Sequence, residues 1–328
     1  MQNGVTFWTE GGPSIGMGHV MRCINIAHAL ETEEMPMHFL VNNERPVIDR
    51  LNEEALFHIV YPMTGRHVGR LTNGVVVIDT KRDVSAQVRS LREEGRKVVL
   101  IDNSSTGEAD AIVMPTPVYR GRGCGNILHG NSYLIIGDKF RHSRAAEPLV
   151  HSAPLKVLVT MGGSDPFNLT ETVLKALWNV KGIEVTTVIG PAFKLTETME
   201  EFIKRSNERF TFVFNAKNMA QLMRASHIAF TAVGTTVYEL AYMGVPSILI
   251  GNYETDAEDL ATLDKLGISR SLGYYRDLHH DDISGAAESF RDDPARWTEM
   301  SLKARNLTDG DGASRIAALI RSLIKQQN

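Results

Sequence analysis

The sequence predicts an α/β protein of two Rossmann-like domains facing an interdomain cleft. Three observations carry this. Apolar, β-branched runs alternate with helix-period segments over most of the length, and two of them, Val75–Ile78 and Val98–Ile101, are continuously apolar. Such runs suit strands buried on both faces of a parallel sheet. A glycine turn follows the first strand of each half, at Gly11–Gly18 and again at Gly162–Gly163. Between the halves, Arg141–Pro154 is polar and aperiodic, carries Pro148 and Pro154, and reads as a linker between domains 1–145 and 153–328.

In chain order, Val5–Thr9 reads as the first strand, and Val20, Ile24, Ala27 and Leu30 give the helical period of a segment near Gly18–Thr32. His38–Val41, His58–Tyr61, Val75–Asp79, Val98–Asp102 and Ala111–Met114 read as strands, with helices near Arg45–Glu54 and Val84–Glu94. Two short runs, Asn126–His129 and Tyr133–Ile136, end the first half. The pattern restarts with Lys156–Thr160, a turn over Met161–Asn168 and a helix over Leu169–Asn179. Glu184–Ile189, Thr211–Phe214, Met219–Ala225, Ile228–Phe230, Thr236–Met243 and Ser247–Ile250 continue the alternation. Helices are expected near Pro294–Arg305 and Ala313–Lys325, the last able to return to the first domain.

With 43% hydrophobic residues and a formal net charge of −4 over 328 residues, the composition is that of a soluble globular protein. It argues against a dedicated nucleic-acid binder, so an anionic ligand must be held locally by backbone N–H groups and a few basic side chains. Cys23 and Cys124 form no CxxC pair, so no disulfide framework or zinc cluster is expected. Met1–Glu10 lacks the basic and apolar regions of a signal peptide, and no apolar run approaches the roughly 20 residues of a membrane span. A cytoplasmic location is expected, with any membrane contact peripheral.

The most informative stretch is Glu10–Ala27. A strand runs through Gly11, Gly12, Pro13, Ser14, Ile15, Gly16 and Gly18 into a helix, with His19 at the junction and Arg22 one turn on. Glycines let the backbone approach a ligand, and a helix N-terminus favours negative charge. An imidazole there is placed for acid–base chemistry; the alternative is an ordinary turn whose histidine caps its own helix. Gly162, Gly163, Ser164 and Asp165 form either a diphosphate cradle or a turn capped by Asn168 or Ser164. More specific is Thr231–Pro246: a strand ends, Gly234 allows close approach, and Thr235 and Thr236 open a helix. Glu239, placed in the first turn of that helix, suits two hydrogen bonds from a ribose diol, against an alternative interaction with the helix dipole. His279-His280-Asp281-Asp282 reads as a solvated turn rather than a metal site, and Asp309-Gly310-Asp311 as a helix cap. No metal or cofactor is called for.

Ile15–Cys23 (I-G-x-G-H-V-M-R-C), Gly162–Pro166 (G-G-S-D-P) and Gly234–Pro246 (G-T-T-V-Y-E-L-A-x-x-G-V-P) resemble one enzyme group. It contains the UDP-sugar hydrolase of the pseudaminic acid pathway (PseG) and the spore-coat polysaccharide proteins of SpsG type. Both are similar to the peptidoglycan N-acetylglucosaminyltransferase and share the GT-B fold. Asn126–Tyr133 and Asp309–Arg315 extend the match over most of the chain. The resemblance implies a catalytic role for His19, diphosphate binding by Gly234, Thr235 and Thr236 with Gly162–Asp165, and ribose binding by Glu239. It puts Glu10, Asp79, Thr255 and Asp256 on the sugar side, with Gly12, Ile15, Gly16, Gly18 and Arg22 in the N-terminal loop. Three positions depart from the hydrolase pattern: Glu10 for Asp, Lys81 for Tyr, and Thr255-Asp256 for an Asn-Gln pair.

The expected chemistry is inverting, metal-independent attack at the anomeric carbon of a UDP-linked acetamido or deoxy sugar. The first expectation, from the I-G-x-G-H-V-M-R-C stretch that resembles the hydrolase, is water as nucleophile, which makes the protein a hydrolase of nonulosonic acid or surface glycan biosynthesis. The alternative is a glycan or nonulosonic acid acceptor, which makes it a glycosyltransferase of surface polysaccharide biosynthesis. A non-catalytic nucleotide-sugar binder is a third reading, one that has no need of an imidazole at His19, whose ring is expected to face the cleft.

Overall fold

The computed structural model describes residues 4–31, 35–65, 68–71, 74–119, 121, 126–147 and 150–326. Two compact units account for them, Met1–Gly137 with Asp309–Asn328, and Asp138–Thr308. Cys124 and Pro148 lie outside the described residues.

In the first unit, β1 (Val5–Thr9), β2 (Met37–Val41), β3 (His58–Val60), β4 (Val75–Asp79), β5 (Lys97–Ile101), β6 (Ala111–Met114) and β7 (Ile127–His129) form one parallel sheet. Its order is β3-β2-β1-β4-β5-β6-β7. Alternate side chains of these strands enter two different cores. Val5, Phe7, Val75 and Val77 pack with Ile24 and Ala27 of the helix Gly18–Leu30 and with Ile316 and Ile320 of the last helix. Trp8, Val76 and Ile78 pack on the other face with Val88 and Leu91 of the helix Ser85–Glu93. Burial on both faces explains why these runs are apolar without alternation. Tyr133–Ile136 forms no strand; a short turn of helix, Asn131–Tyr133, stands there instead.

The last helix, Gly312–Lys325, is part of this first unit. Arg321 Nη2 donates to the Ala29 carbonyl at 2.9 Å, which ties it to the Gly18–Leu30 helix. Of the Asp309–Asp311 stretch expected to cap the last helix, Asp311 stands at the N-cap position without a side-chain cap bond, and Asp309 lies before it. The Asp309 carboxylate takes a two-armed bond from Arg315, at 2.8 and 2.6 Å, and that partner holds the Asp309 pKa down to about 2. Gly312 opens the helix so close to the Leu134 carbonyl that a Cβ would lie 2.2 Å from its oxygen. Gly312→Ala should therefore push the helix off the core and cost about 1–3 kcal/mol, the usual penalty of overpacking. A thermal melt equal to wild type would show that the backbone yields there.

The second unit holds β8 (Leu155–Thr160), β9 (Ile183–Ile189), β10 (Phe210–Phe214), β11 (Ile228–Ala232), β12 (Ser247–Gly251) and β13 (Ser269–Tyr274) in the parallel order β10-β9-β8-β11-β12-β13. Its core joins Val157, Val159 and Phe230 of the sheet to Val173 and Leu177 of the helix Leu169–Leu177 and Phe290 of the helix His280–Asp292. Arg141–Pro154, expected as a linker, falls inside this unit, which starts at Asp138. Asp138–Ser143 is helical, and the Arg144 guanidinium that follows lies 4.3 Å from the Tyr242 ring centre. A polar surface with a cation–aromatic contact looks, in sequence, like a connection. His279 is likewise no plain turn: it begins a capping box with Asp282 at the start of the His280–Asp292 helix.

Each sheet reverses its strand order once, between β1 and β4 in the first unit and between β8 and β11 in the second. At such switch points the connections leave in opposite directions, and the carboxyl ends of the two strands border an open crevice.

Candidate active site

The β1–β4 switch point carries the His19 site. β1 and β4 run in register to Thr9 and Asp79, so the loop after Thr9 and the side chain of Asp79 emerge together. The loop is closed by a two-residue bridge, Gly12 N–H to the Gly16 carbonyl at 3.0 Å and Gly16 N–H to the Gly12 carbonyl at 2.7 Å. Asn42, just beyond β2, fixes its start, accepting from Gly11 N–H at 3.0 Å and donating to the Gly11 carbonyl at 2.7 Å. Gly18 then opens the helix, and Ile15 stands partly exposed on the loop.

One turn of that helix separates His19 from Arg22, so both side chains share a face. His19 Nδ1 lies 2.6 Å from Asp79 Oδ1. Arg22 grips the same carboxylate with two arms, Nε to Oδ2 at 2.8 Å and Nη2 to Oδ1 at 2.7 Å. Burial alone would raise the Asp79 pKa, but the Arg22 charge and hydrogen bonds, with His19 beside them, hold it below the usual carboxylate value. The Arg22 guanidinium is in turn held charged by Asp79 against its own burial. Asp79 is therefore an anion, and a lone pair on Nδ1 could not lie 2.6 Å from it without repulsion. Nδ1 carries the proton and donates it to Asp79. Arg22 Nη2, 2.8 Å from Nδ1, is a second donor converging on Oδ1 rather than a donor to the ring. This tautomer leaves the Nε2 lone pair with no hydrogen-bond partner among the described residues.

The His19 side chain is only 9% exposed and its hydrogen bonds lie within its own unit. Burial of that degree also suits a histidine that merely packs. The one-sided bonding sets it apart: an anion fixes Nδ1, and nothing described holds Nε2.

Asp79 is fully buried with both oxygens taken up, so it is the partner of His19 and not a sugar-facing acid. Glu10 is also occupied, accepting from Thr80 Oγ1 at 2.5 Å and from Arg82 Nε at 2.9 Å. Its carboxylate holds the end of β4 against the end of β1 rather than facing outward. Asp102 and Asn103, after β5, were not singled out by sequence. Both stand at the carboxyl end of an apolar strand, as Asp79 does, and that position was the available signal.

At the β8–β11 switch point the second unit presents two turns side by side. β8 and β11 pair to Thr160 and Thr231, and the chain then forms Gly162–Asp165 and Gly234–Thr236. Gly162 has φ +86°, open to glycine and strained for other residues. Asp165 caps the Leu169–Leu177 helix, its two oxygens accepting from Leu169 and Thr170 N–H at 2.9 and 2.8 Å. Asn168 stands at the N-cap position, as expected, but its side chain makes no cap bond; the carboxylate of Asp165 supplies those bonds, and Ser164 does not. Gly162, Gly163 and Ser164 remain at the rim, partly or fully exposed.

The Thr235–Met243 helix has Gly234 at its N-cap and no side-chain cap, so its first N–H groups face the turn unmet by a side chain. Gly234 is exposed and has nothing within 4 Å of where a Cβ would stand. Glu239 lies in the second turn of this helix, not the first, which removes it from the strongest dipole field. Burial raises its pKa to about 7, and no described residue supplies a cation or hydrogen bond to it. Thr255 is exposed beyond β12, while Asp256 Oδ2 accepts from the Asn252 and Tyr253 N–H groups at 2.9 and 3.0 Å and shapes that loop. Among the described residues no group of three or more His, Cys, Asp or Glu could hold a metal ion, and no helix is long and apolar enough to cross a membrane.

Residues 157–263 match the glycosyltransferase family 28 C-terminal domain. The chain is 25% identical to the spore coat polysaccharide biosynthesis protein SpsG of Bacillus subtilis, covering 98% of this chain and 99% of that protein. It is 26% identical to an uncharacterized protein of Methanocaldococcus jannaschii over 84% of its own length, and spans 62% of that relative. Among solved structures, MurG of Acinetobacter baumannii superposes with a TM-score of 0.69 over 97% of this chain and 99% of its own, at 15% identity. A likeness that distant speaks for the fold alone. The chain thus has the GT-B fold, matches the glycosyltransferase family 28 C-terminal domain over residues 157–263 of its second unit, and is similar to SpsG over 98% of its length.

Proposed function

We propose that this protein is an inverting, metal-independent glycosyltransferase of surface polysaccharide biosynthesis that takes a UDP-linked sugar as donor. The observation that carries the reading is the His19–Asp79 pair, with Nδ1 fixed by an anion and Nε2 open. In this mechanism Nε2 takes the proton from an acceptor hydroxyl as its oxygen bonds to the anomeric carbon. The bond from that carbon to the diphosphate breaks on the opposite side, and UDP leaves. Asp79, clamped by Arg22, steadies the imidazolium as it forms. The N–H groups at Gly234–Thr236, with Gly162–Ser164, hold the diphosphate, and Glu239 takes the ribose hydroxyls. A positioned base contributes about 10²–10⁴-fold, and fixed donors on the leaving group add about 10²–10³-fold.

The Ile15–Cys23 stretch, which resembles the pseudaminic-pathway hydrolase, supports a second reading with water as the nucleophile at the same Nε2. One assay separates the readings: UDP release from UDP-linked acetamido sugars, with and without a nonulosonic acid or lipid-linked glycan. Release only with acceptor supports the transferase; release in water alone makes it a hydrolase. Tight binding with no release under any condition contradicts both and leaves a non-catalytic nucleotide-sugar binder.

Glu239 gives this reading a pH signature. Its proton is held more tightly in the folded protein, up to a pKa of about 7. This contributes stability at acid pH that is lost as pH rises through 7. A ribose diol donating to the carboxylate favours the ionised form, so binding must first remove that proton below pH 7. Affinity for a UDP-sugar, whose diphosphate does not titrate near neutrality, should fall about tenfold from pH 8 to pH 6. Glu239→Gln should abolish that dependence and weaken binding at pH 8 by about 1–3 kcal/mol. Calorimetry showing the same pH profile in both proteins would remove Glu239 from the site.

A further inference from the structure

We infer that Asp102 is a positioning residue for His19, acting through Arg22; the inference rests on the reading of His19 as the base. Arg22 has a third arm that Asp79 does not use: Nη1 donates to Asp102 Oδ2 at 3.0 Å. Asp102 directly follows β5, with its N–H bonded to the Val113 carbonyl at 2.8 Å and its backbone at φ +53°. That left-handed conformation is uncommon for a residue other than glycine and costs about 1–3 kcal/mol where the surroundings impose it. Here it turns the carboxylate back toward Arg22, and the side chain is only 16% exposed. The next residue, Asn103, locks the arrangement by donating to the Thr80 and Arg82 carbonyls at 2.6 and 2.8 Å.

The consequence is geometric and electrostatic. With both arms on Asp79 and one on Asp102, the guanidinium plane is fixed at three points. Asp79 Oδ1 then has one position in which to receive the His19 proton. Asp102 also supplies the second negative charge of the cluster. When Nε2 takes a proton, His19 and Arg22 are both cations, and Asp79 alone would have to balance them. The other charge facing Asp102 is Lys81, 2.8 Å away and 68% exposed, a surface cation.

The test is nitrogen-15 NMR of the histidine rings in the full-length protein, with His19 assigned by its loss in His19→Asn. Asp102→Asn keeps the side-chain shape and tolerates the left-handed backbone; Asp102→Gly, at ease there, is the second variant, and melting curves confirm folding. Wild type should show the single Nδ1–H form. Both Asp102 variants should move the His19 signals toward a mixture of tautomers, while Lys81→Met leaves them in place. In turnover, the Asp102 variants should lose about 10- to 100-fold in kcat with KM for the nucleotide sugar unchanged. Unchanged His19 signals in folded Asp102→Asn or Asp102→Gly overturn the inference, as does an equal change in Lys81→Met, which would make the effect one of surface charge. The spectra need no substrate. Failure of every UDP-sugar to turn over in wild type would instead remove the reading of His19 as the base.

Discussion

His19→Asn should lower turnover by about 10²-fold or more while leaving UDP affinity near wild type. The split follows from where the groups reside. The proposed base belongs to the first unit, whereas the proposed nucleotide-binding residues, Gly162–Ser164, Gly234–Thr236 and Glu239, all belong to the second. Asparagine can still donate to Asp79, so the Arg22–Asp79 clamp keeps its partners and the fold should hold. What is lost is the Nε2 lone pair. Steady-state kinetics beside UDP calorimetry reads both halves of the statement. Wild-type turnover in folded His19→Asn would leave the histidine as a packing residue.

Asp79→Asn should be damaging in two separable ways. Its amide no longer requires a proton on Nδ1, so the imidazole can turn over to the wrong tautomer, and turnover should fall about 10²–10⁴-fold. Arg22 also loses its principal counter-charge while remaining buried, and breaking such a pair costs about 3–5 kcal/mol. The pH dependence has a definite sign. Asp79 is held below the usual carboxylate pKa, so its contribution to stability is present at neutral pH and is lost as pH falls through the acid range. Wild type should therefore lose stability on acidification more steeply than Asp79→Asn. Parallel denaturation curves between neutral and acid pH would contradict the clamp.

The architecture was legible where burial dictates composition. Val75–Ile78 and Val98–Ile101 are apolar throughout because both of their faces are covered, and they are the strands β4 and β5. The strand Ser269–Tyr274 was missed because SRSLGY lies at the sheet edge, half-exposed, and carries no apolar run. The helix His280–Asp292 was hidden behind an N-terminus of charged residues that resembles a turn. At the candidate site, His19 was marked by its place after the glycine loop, and Gly234–Thr236 by the strand-to-helix junction. The pairing of His19 with Asp79 was not legible: 60 positions separate them, and only the register of β1 against β4 brings them together. Asp165 illustrates the converse. Its motif suggested a ligand, yet two backbone N–H groups of its own helix claim it.

The central claim is that a nucleophile activated at His19 Nε2 displaces UDP from the anomeric carbon in one step. The configuration of the first-formed product, followed by proton NMR before it can equilibrate, tests this most directly and serves for water or a glycan acceptor alike. A single displacement on an α-linked UDP-sugar must give the β product. A first-formed α product would require two displacements and a covalent sugar intermediate, and would contradict the account.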